Sequence, residues 1–253
     1  MKLSILVPTF NRNELLELGI LSSLARQTLD KNEYEIIVLN EGSEEGIEDI
    51  VYKYQNTRYI NTGKTKKEKK WRIPGYAINI GAKLALGDKL IITCPEIYLY
   101  DNDLLEKMLE ASKDDKALII TEGVDDQGGH LLKQAKEDTL DLHLAVPRLA
   151  NLNTDFPFFL LVDKKRFIDI GGYDEDFKGF CWDDLDIVDR LLRSGCHYVK
   201  LPNKIVHLYH SRLNREGVTE KNEMWLYNKN LYYSRVGQNI RNVGREWGQI
   251  ERT

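Results

Sequence analysis

The chain is poor in cysteine: Cys94, Cys181 and Cys196 are the only three among 253 residues, and no two form a Cys-x-x-Cys pair. An odd, scattered set excludes a disulfide framework and a structural zinc site, and reads as ordinary thiols in a reducing compartment. No apolar run approaches the roughly 20 residues that a membrane-spanning helix needs. The opening "MKLSILVPTF" has too short an apolar stretch and too early a proline for a secretory signal. A cytoplasmic protein without a transmembrane segment is the expectation. Charge of one sign is not in excess either, since 36 basic and 40 acidic residues leave a formal net charge of −4. That balance excludes wholesale binding to nucleic acid or to an anionic membrane.

Glycine is missing where a dinucleotide-binding turn would need it. The first strand pattern, "KLSILVP", passes into a helical pattern through "PTFNRNE", which contains none. Without glycine there, the backbone cannot approach a pyrophosphate as that turn requires. A Walker loop, a Gly-x-Ser-x-Gly elbow and a His-Glu-x-x-His pair are absent as well.

What is present is an alternation of strand and helix patterns. "TFNRNELLELGILSSLARQ" repeats apolar residues at helical spacing, at Leu15, Leu18, Leu21 and Leu24. "YEIIVLNEGS", "EEGIEDIVYKYQ" and "RYIN" follow as strand, helix and strand. The basic run from Thr62 to Gly75 predicts a solvated loop. "YAINIGAKLAL" predicts a helix of small residues ended by Gly87, followed by the strand "KLIITCPEIYL", a helix and the strand "ALIITEG". Residues 123–156 are loop-rich, with a helix predicted around "DTLDLHLA". Beyond them come a strand, a short helix ended by Gly171-Gly172, the amphipathic helix "WDDLDIVDRLLRSG", and two strands, "HYVKLP" and "IVHLYH". Residues from 219 onward predict helix interrupted by glycines. The alternation predicts an α/β fold: a mostly parallel central sheet flanked by helices, with right-handed crossovers and a helical C-terminal tail.

The strand "LIIT" stops at Cys94-Pro95 because proline has no N–H for the ladder. Glu96 thus stands just past the end of a central strand, where open α/β sheets bind ligands. It is a metal ligand or a polar loop residue.

Taken in order, "SILVPTFNR", "EIIVLNEGS", "AINIGAKLALGDKLIITCPE" and "GGYDEDFKGFCWDDLDIVDRLL" resemble the family 2 nucleotide-sugar glycosyltransferases of GT-A fold. The last block, with "HLYHSR", is similar to the galactosyltransferase catalytic half. The resemblance covers about residues 1–215. It implies a nucleotide-binding half over 1–122, an acceptor and catalytic half over 123–215, and a separate tail over 216–253. It also implies an inverting, metal-dependent transferase that moves a sugar from a UDP-sugar to a hydroxyl of a glycan or glycoconjugate.

Residue by residue, the resemblance puts Pro8, Thr9, Phe10 and Arg12 at the donor nucleotide, with Asn40, Glu41, Arg72 and Pro95. Asn40 and Glu41 stand where the family usually carries two aspartates. "TCPEI" falls on the metal-binding Asp-x-Asp, with Cys94 in place of the first carboxylate and Glu96 keeping the last. His210, in "YHSR", resembles the histidine that completes the metal site. His207 is the alternative ligand, and in an alternating strand the two would point to opposite faces. An imidazole beside a carboxylate tilts the choice to Mn²⁺ over Mg²⁺. Asp184 matches the base, and Asp183 the residue that binds acceptor or donor sugar; both also suit a helix N-terminus, where the dipole favours negative charge. Trp182 and Gly172 are implied at the sugar. His130, His143 and His197 match no motif. The missing first aspartate leaves two alternatives: a catalytically silent binding domain, or a transferase that needs no metal. Aromatic residues of the tail, Trp225, Tyr227, Tyr232, Tyr233 and Trp247, suit packing on the domain, on an acceptor glycan or on a partner subunit, the last implying a homodimer through the tail.

Overall fold

The structure is a computed structural model and describes residues 1–43, 46–63, 73–126, 128–137, 139–147, 158–210 and 218–250. Arg72 and most of the basic loop lie outside the described residues. The nine strands described are β1 (Leu3–Thr9), β2 (Tyr34–Asn40), β3 (Thr57–Asn61), β4 (Lys89–Thr93), β5 (Ile97–Leu99), β6 (Ala117–Asp125), β7 (Val146–Pro147), β8 (Phe159–Asp163) and β9 (His197–His207). They form one sheet in the order β3-β2-β1-β4-β8-β6-β9-β5, with β7 on β6. β1, β2, β3, β4, β6 and β9 run one way, while β5, β7 and β8 run against them.

Every residue of β1 and β2 is buried, as parallel strands covered on both faces require. Alternate side chains divide between two cores. Leu3, Ile5 and Val7 meet the helix that follows β1 through Leu16, Ile20 and Leu24. Leu6, Ile37 and Leu39 meet Ala77 and Ile80 of a second helix, Pro74–Leu84, on the other face. The helix after β1, here α1, joins Asn13–Leu15, a π-helical Leu16–Leu21 and Ser22–Ala25. The remaining helices are α2 (Ile47–Val51), α3 (Pro74–Leu84), α4 (Leu104–Ala111), α5 (His130–Lys136), α6 (Lys164–Asp169), α7 (Asp183–Arg193) and α8 (Val218–Ser234).

Four local expectations change. Helix α3 ends at Leu84, with Ala85 extended, so Gly87 does not cap it. Gly87 is instead required by close approach: a Cβ there would stand 2.6 Å from the carbonyl carbon of Leu3. The helix predicted around "DTLDLHLA" is only a 3-10 turn, Leu142–Leu144, and the longer helix is α5 before it. "HYVKLP" and "IVHLYH" form one strand, β9, whose register against β6 shifts opposite Ile120/Glu122. After α8 the tail carries no helix through residue 250; Gly237, Asn242, Gly244 and Gly248 all adopt positive φ there. No helix among the described residues is long and apolar enough to cross a membrane.

The co-directional strands place their carboxyl ends on one edge, so "PTFNR", "NEGS", "TCPE" and "HLYH" all emerge there. A helix leading into a strand of that set runs back across the sheet, so α3 and α7 begin at the same edge. β5 is too short to stand alone. It pairs with the end of β9, Ile97 opposite His207, and the Leu208 N–H donates to the Glu96 carbonyl at 2.9 Å. That pairing carries the 207–210 segment to Glu96.

Candidate active site

The first cluster at this edge is Arg12, Glu96 and His210. Arg12 Nε lies 3.0 Å from Glu96 Oε1, and its Nη2 donates to His210 Nδ1 at 3.2 Å, across 198 residues of sequence. Because arginine only donates, His210 Nδ1 accepts, and the neutral ring carries its proton on Nε2. That nitrogen is 4.0 Å from Glu96 Oε1. His207 and His210 do not diverge as an alternating strand would have them: β9 ends at His207, and the two rings meet edge to face at 5.2 Å. His207 Nδ1 lies 3.2 Å from Asp125, which sets this ring toward β6 rather than Glu96.

Among the described residues no three of His, Cys, Asp and Glu gather into a ready cation cage. Glu96 and His210 supply one oxygen and one imidazole nitrogen, a donor pair that suits Mn²⁺ better than Mg²⁺. To hold an ion with Glu96 through Nε2, the neutral His210 ring would carry its proton on Nδ1, which would release the Arg12 hydrogen bond, and donor oxygens would complete the site. Arg12 is the cation that Glu96 holds in this structure.

Around this cluster, Pro8 and Thr9 are buried members of β1, and Phe10 is half-buried beyond its end. Asn40 has both ends of its amide engaged: Nδ2 donates to the Tyr59 hydroxyl, and Oδ1 accepts from the Ser43 N–H. Its amide therefore shapes the "NEGS" loop. Glu41 is fully buried, with its N–H on the Thr9 carbonyl. Pro95 is buried as well, and its carbonyl explains a glycine: a Cβ on Gly19 would stand 2.5 Å from Pro95 O and 3.2 Å from Ile97 O. Gly19 lies in the π-helical turn of α1, and such turns recur at functional sites. Gly19→Ala is expected to cost about 1–3 kcal/mol, as overpacking against backbone does, and to displace Glu96. Urea unfolding measures the first effect. A midpoint equal to that of the parent chain would refute the close approach.

The second cluster is the start of α7. Asp183 is 5% exposed, and burial raises its carboxyl to about 6, with Asp186 pushing the same way and backbone hydrogen bonds at the turn opposing. Asp184 is half-buried and accepts from the Tyr173 hydroxyl at 3.2 Å. Burial, followed by the charges of Asp184 and Asp183, holds the Tyr173 phenol well above its ordinary range, so it remains a donor. Tyr173 rests on the first turn of α3, where a Cβ on Gly75 would enter its ring at 2.4 Å. Trp182 adopts φ 75° and Cys181 φ 66°, two consecutive non-glycine residues in a strained region immediately before the carboxylates. The Trp182 ring packs at 5.4–5.6 Å against Trp225, Tyr232 and Tyr233 of α8. Gly172 has φ 61°, and a Cβ there would meet Asn79 Oδ1 at 2.4 Å and Trp247 at 2.8 Å. Gly172 thus sits beneath the tail, not on an open face. The three cysteines are free, as their spacing predicts.

Several residues of this cluster escape a reading of local pattern. Asn79 is fully buried in α3 and bonds both the N–H and the carbonyl of Tyr173, tying α3 to the turn after α6. Arg190 and Asp186 are buried at 0% and 1%, paired at 2.7 Å, and Arg190 also donates to the carbonyls of Ile170 and Gly172. In sequence they look like an ordinary i, i+4 pair on a polar helix face. Within "AINIG", Asn79 is the one polar residue in a run of small apolar ones, the single local sign of its role.

The mostly parallel sheet flanked by helices is that of the GT-A fold, and both clusters stand at its carboxyl edge. The chain belongs to glycosyl transferase family 2, whose sequence model matches residues 4–171. A model described as the N-terminal domain of galactosyltransferase matches residues 156–212. Among curated proteins, the chain is 29% identical over 130 residues to the poly(ribitol-phosphate) beta-N-acetylglucosaminyltransferase TarS of Staphylococcus aureus; the match covers 51% of this chain and 22% of that one. The chain therefore spans about a fifth of that relative's length. Its fold is similar to S. aureus TarS 1–349 in complex with UDP-GlcNAc (TM-score 0.64, 16% identity, 90% of this chain and 65% of that one). It is also similar to the mannosyltransferase PcManGT from Pyrobaculum calidifontis in complex with GDP-Man and Mn²⁺ (TM-score 0.61, 13% identity, 92% and 63%).

Proposed function

We propose that the protein is an inverting glycosyltransferase that takes a sugar from a UDP-sugar, with the help of Mn²⁺, and places it on a hydroxyl of a glycan or glycoconjugate. The observation that carries this reading is the pairing of Glu96 with His210 at the sheet edge where α7 presents Asp183 and Asp184. In-line displacement needs a base at the acceptor hydroxyl and a positive group at the departing diphosphate. Asp184 takes the acceptor proton, oriented by the Tyr173 hydroxyl. Asp183 accepts hydrogen bonds from sugar hydroxyls. Arg12 stabilises the diphosphate, and "PTFNR" and "NEGS" bracket the nucleotide. Glu96 and His210 would hold the cation, which supplies charge neutralisation at the leaving group. The family membership supports a sugar-nucleotide donor, and the relatives' substrates, UDP-GlcNAc and poly(ribitol-phosphate), suggest the donor and acceptor classes to try first.

A transferase that needs no metal is the second reading, favoured by the Arg12 guanidinium already standing on Glu96. Titration calorimetry with UDP, with and without Mn²⁺, separates the two. Mn²⁺ is expected to tighten UDP binding, and Glu96→Ala to remove at least about tenfold of that gain, in line with losses at metal sites. Equal UDP affinity without the ion, together with turnover, would establish the second reading. A panel of nucleotide sugars assayed for hydrolysis tests the function itself; no release from any donor would overturn it in favour of a silent binding domain.

A further inference from the structure

The segments matched by the two family models end at residue 212, yet the tail beyond them holds the carboxylate turn from two sides. Asn228 of α8 is fully buried. Its Nδ2 points at the carbonyls of Lys178, Phe180 and Cys181 at 2.6–3.1 Å, and its Oδ1 accepts from the Lys178 N–H at 3.0 Å. This clamp closes the turn that leads into Cys181 and Trp182, the two residues at positive φ. Strained backbone of this kind persists only where its surroundings over-determine it.

Arg241 acts from the other side. It is 4% exposed, its Nη2 donates to Asp186 at 2.6 Å, and its Nε lies 3.0 Å from Asp174. Its N–H donates to the Ile170 carbonyl, and its own carbonyl occupies the space a Cβ on Gly171 would need, 2.1 Å away. Arg235, farther out, pairs with Asp174 and Asp176. Asp186 therefore stands between two guanidinium groups, those of Arg190 and Arg241, one turn below Asp183.

We propose that Arg241 and Asn228 are positioning residues for the catalytic carboxylates, so that the tail is part of the active site and not an appendage to it. The proposal rests on the reading of Asp183 and Asp184 given above. Asn228 sets the backbone that aims the two carboxylates. Arg241 fixes the first turn of α7 and offsets the charge of Asp186. The charged and titratable groups around Asp183 are Asp184, Asp186 and Arg190 on its own helix, Tyr173 and Cys181 on the turns packed against it, and Arg241 from the tail. Ionised Asp183 accepts from hydroxyls through both oxygens, whereas protonation turns one of them into a donor and weakens the site; Asp186 already pushes its carboxyl upward. Losing the Arg241 charge leaves Asp186 less compensated, which favours the protonated form of Asp183. The sign is therefore an acid limb of kcat that moves to higher pH.

The test compares pH profiles, kcat, donor KM and melting temperature for Arg241→Gln, Arg241→Lys and Asn228→Ala in the full chain. Arg241→Gln is expected to raise the acid limb by about one pH unit, the scale over which a nearby opposite charge shifts a carboxyl. Arg241→Lys keeps the charge without spanning two carboxylates, so its limb stays in place while kcat falls. Asn228→Ala is expected to lower kcat by about tenfold or more, as misplacement of reacting groups does, with donor KM and the limb unchanged. A folded Arg241→Gln with the parent kcat and limb overturns the proposal. If that variant does not fold, parent kcat in both Arg241→Lys and Asn228→Ala does so instead. Full activity in Asp184→Asn would remove the reading of the base itself, whereas an inactive Asp184→Asn beside unaffected tail variants removes only this proposal.

Discussion

Asp184→Asn is expected to lower kcat by a factor of about 10²–10⁴, the range over which a positioned general base contributes. The amide keeps the shape of the carboxylate, and its oxygen can still accept from the Tyr173 hydroxyl, so the packing around Asp184 Oδ1 survives. What disappears is the capacity to take a proton. Donor KM should change little, because the proposed function gives the donor to groups at the strand ends, Arg12 and Glu96 among them. Steady-state transfer with an identified donor, read beside a thermal melt, makes the measurement. Near-full transfer by Asp184→Asn would move the base elsewhere, with Asp183 next to be tried. The depth of Asp183 argues for a binding role: a carboxylate 5% exposed is placed to fix hydroxyls, while half-buried Asp184 can exchange a proton with an arriving acceptor.

Arg190→Ala is expected to lower stability by about 3–5 kcal/mol, the usual result of removing one partner from a buried ion pair. Arg190 has no exposed surface. Its loss would leave Asp186 with Arg241 alone and strip donors from the carbonyls of Ile170 and Gly172. Those carbonyls belong to the turn that feeds Tyr173, so the damage reaches the Tyr173–Asp184 contact as well as the fold. Denaturant unfolding monitored by circular dichroism gives the value. A loss below about 1 kcal/mol, the scale of an exposed pair, would mean that the arginine is solvated in practice. Activity lost at full stability would instead assign Arg190 a direct part in binding.

Both expectations concern groups that local pattern describes incompletely. "WDDLDIVDRLL" is an amphipathic helix with an acidic first turn, and α7 is that helix, starting at Asp183. Its polar residues did not all face solvent, however, because a turn from α6, the tail and the helix itself close over Asp186 and Arg190. Helical periodicity reports which residues share a face. It does not report what will cover that face. Gly87 shows the same limit on a smaller scale, since glycine after a helix suggests a cap but here admits the backbone of β1.

The sequence by itself determined the alternation of strands and helices through β4, the ending of β4 before Pro95, and the acidic start of α7. Each follows from interactions over a few residues: apolar periodicity, the missing N–H of proline, the helix dipole. It also carried ordered blocks specific enough to indicate the family. Only the tertiary structure decided which histidine stands at Glu96, because that choice rests on β5 pairing with the end of β9 and on a strand that stops at His207. The same is true of Asn40, whose amide turns inward to Tyr59, and of the tail, whose Arg241 and Asn228 reach the carboxylate turn. Contacts of this kind join residues far apart in the chain, and their partners are selected by shape and by the need to satisfy buried charge, neither of which leaves a periodic trace in the sequence.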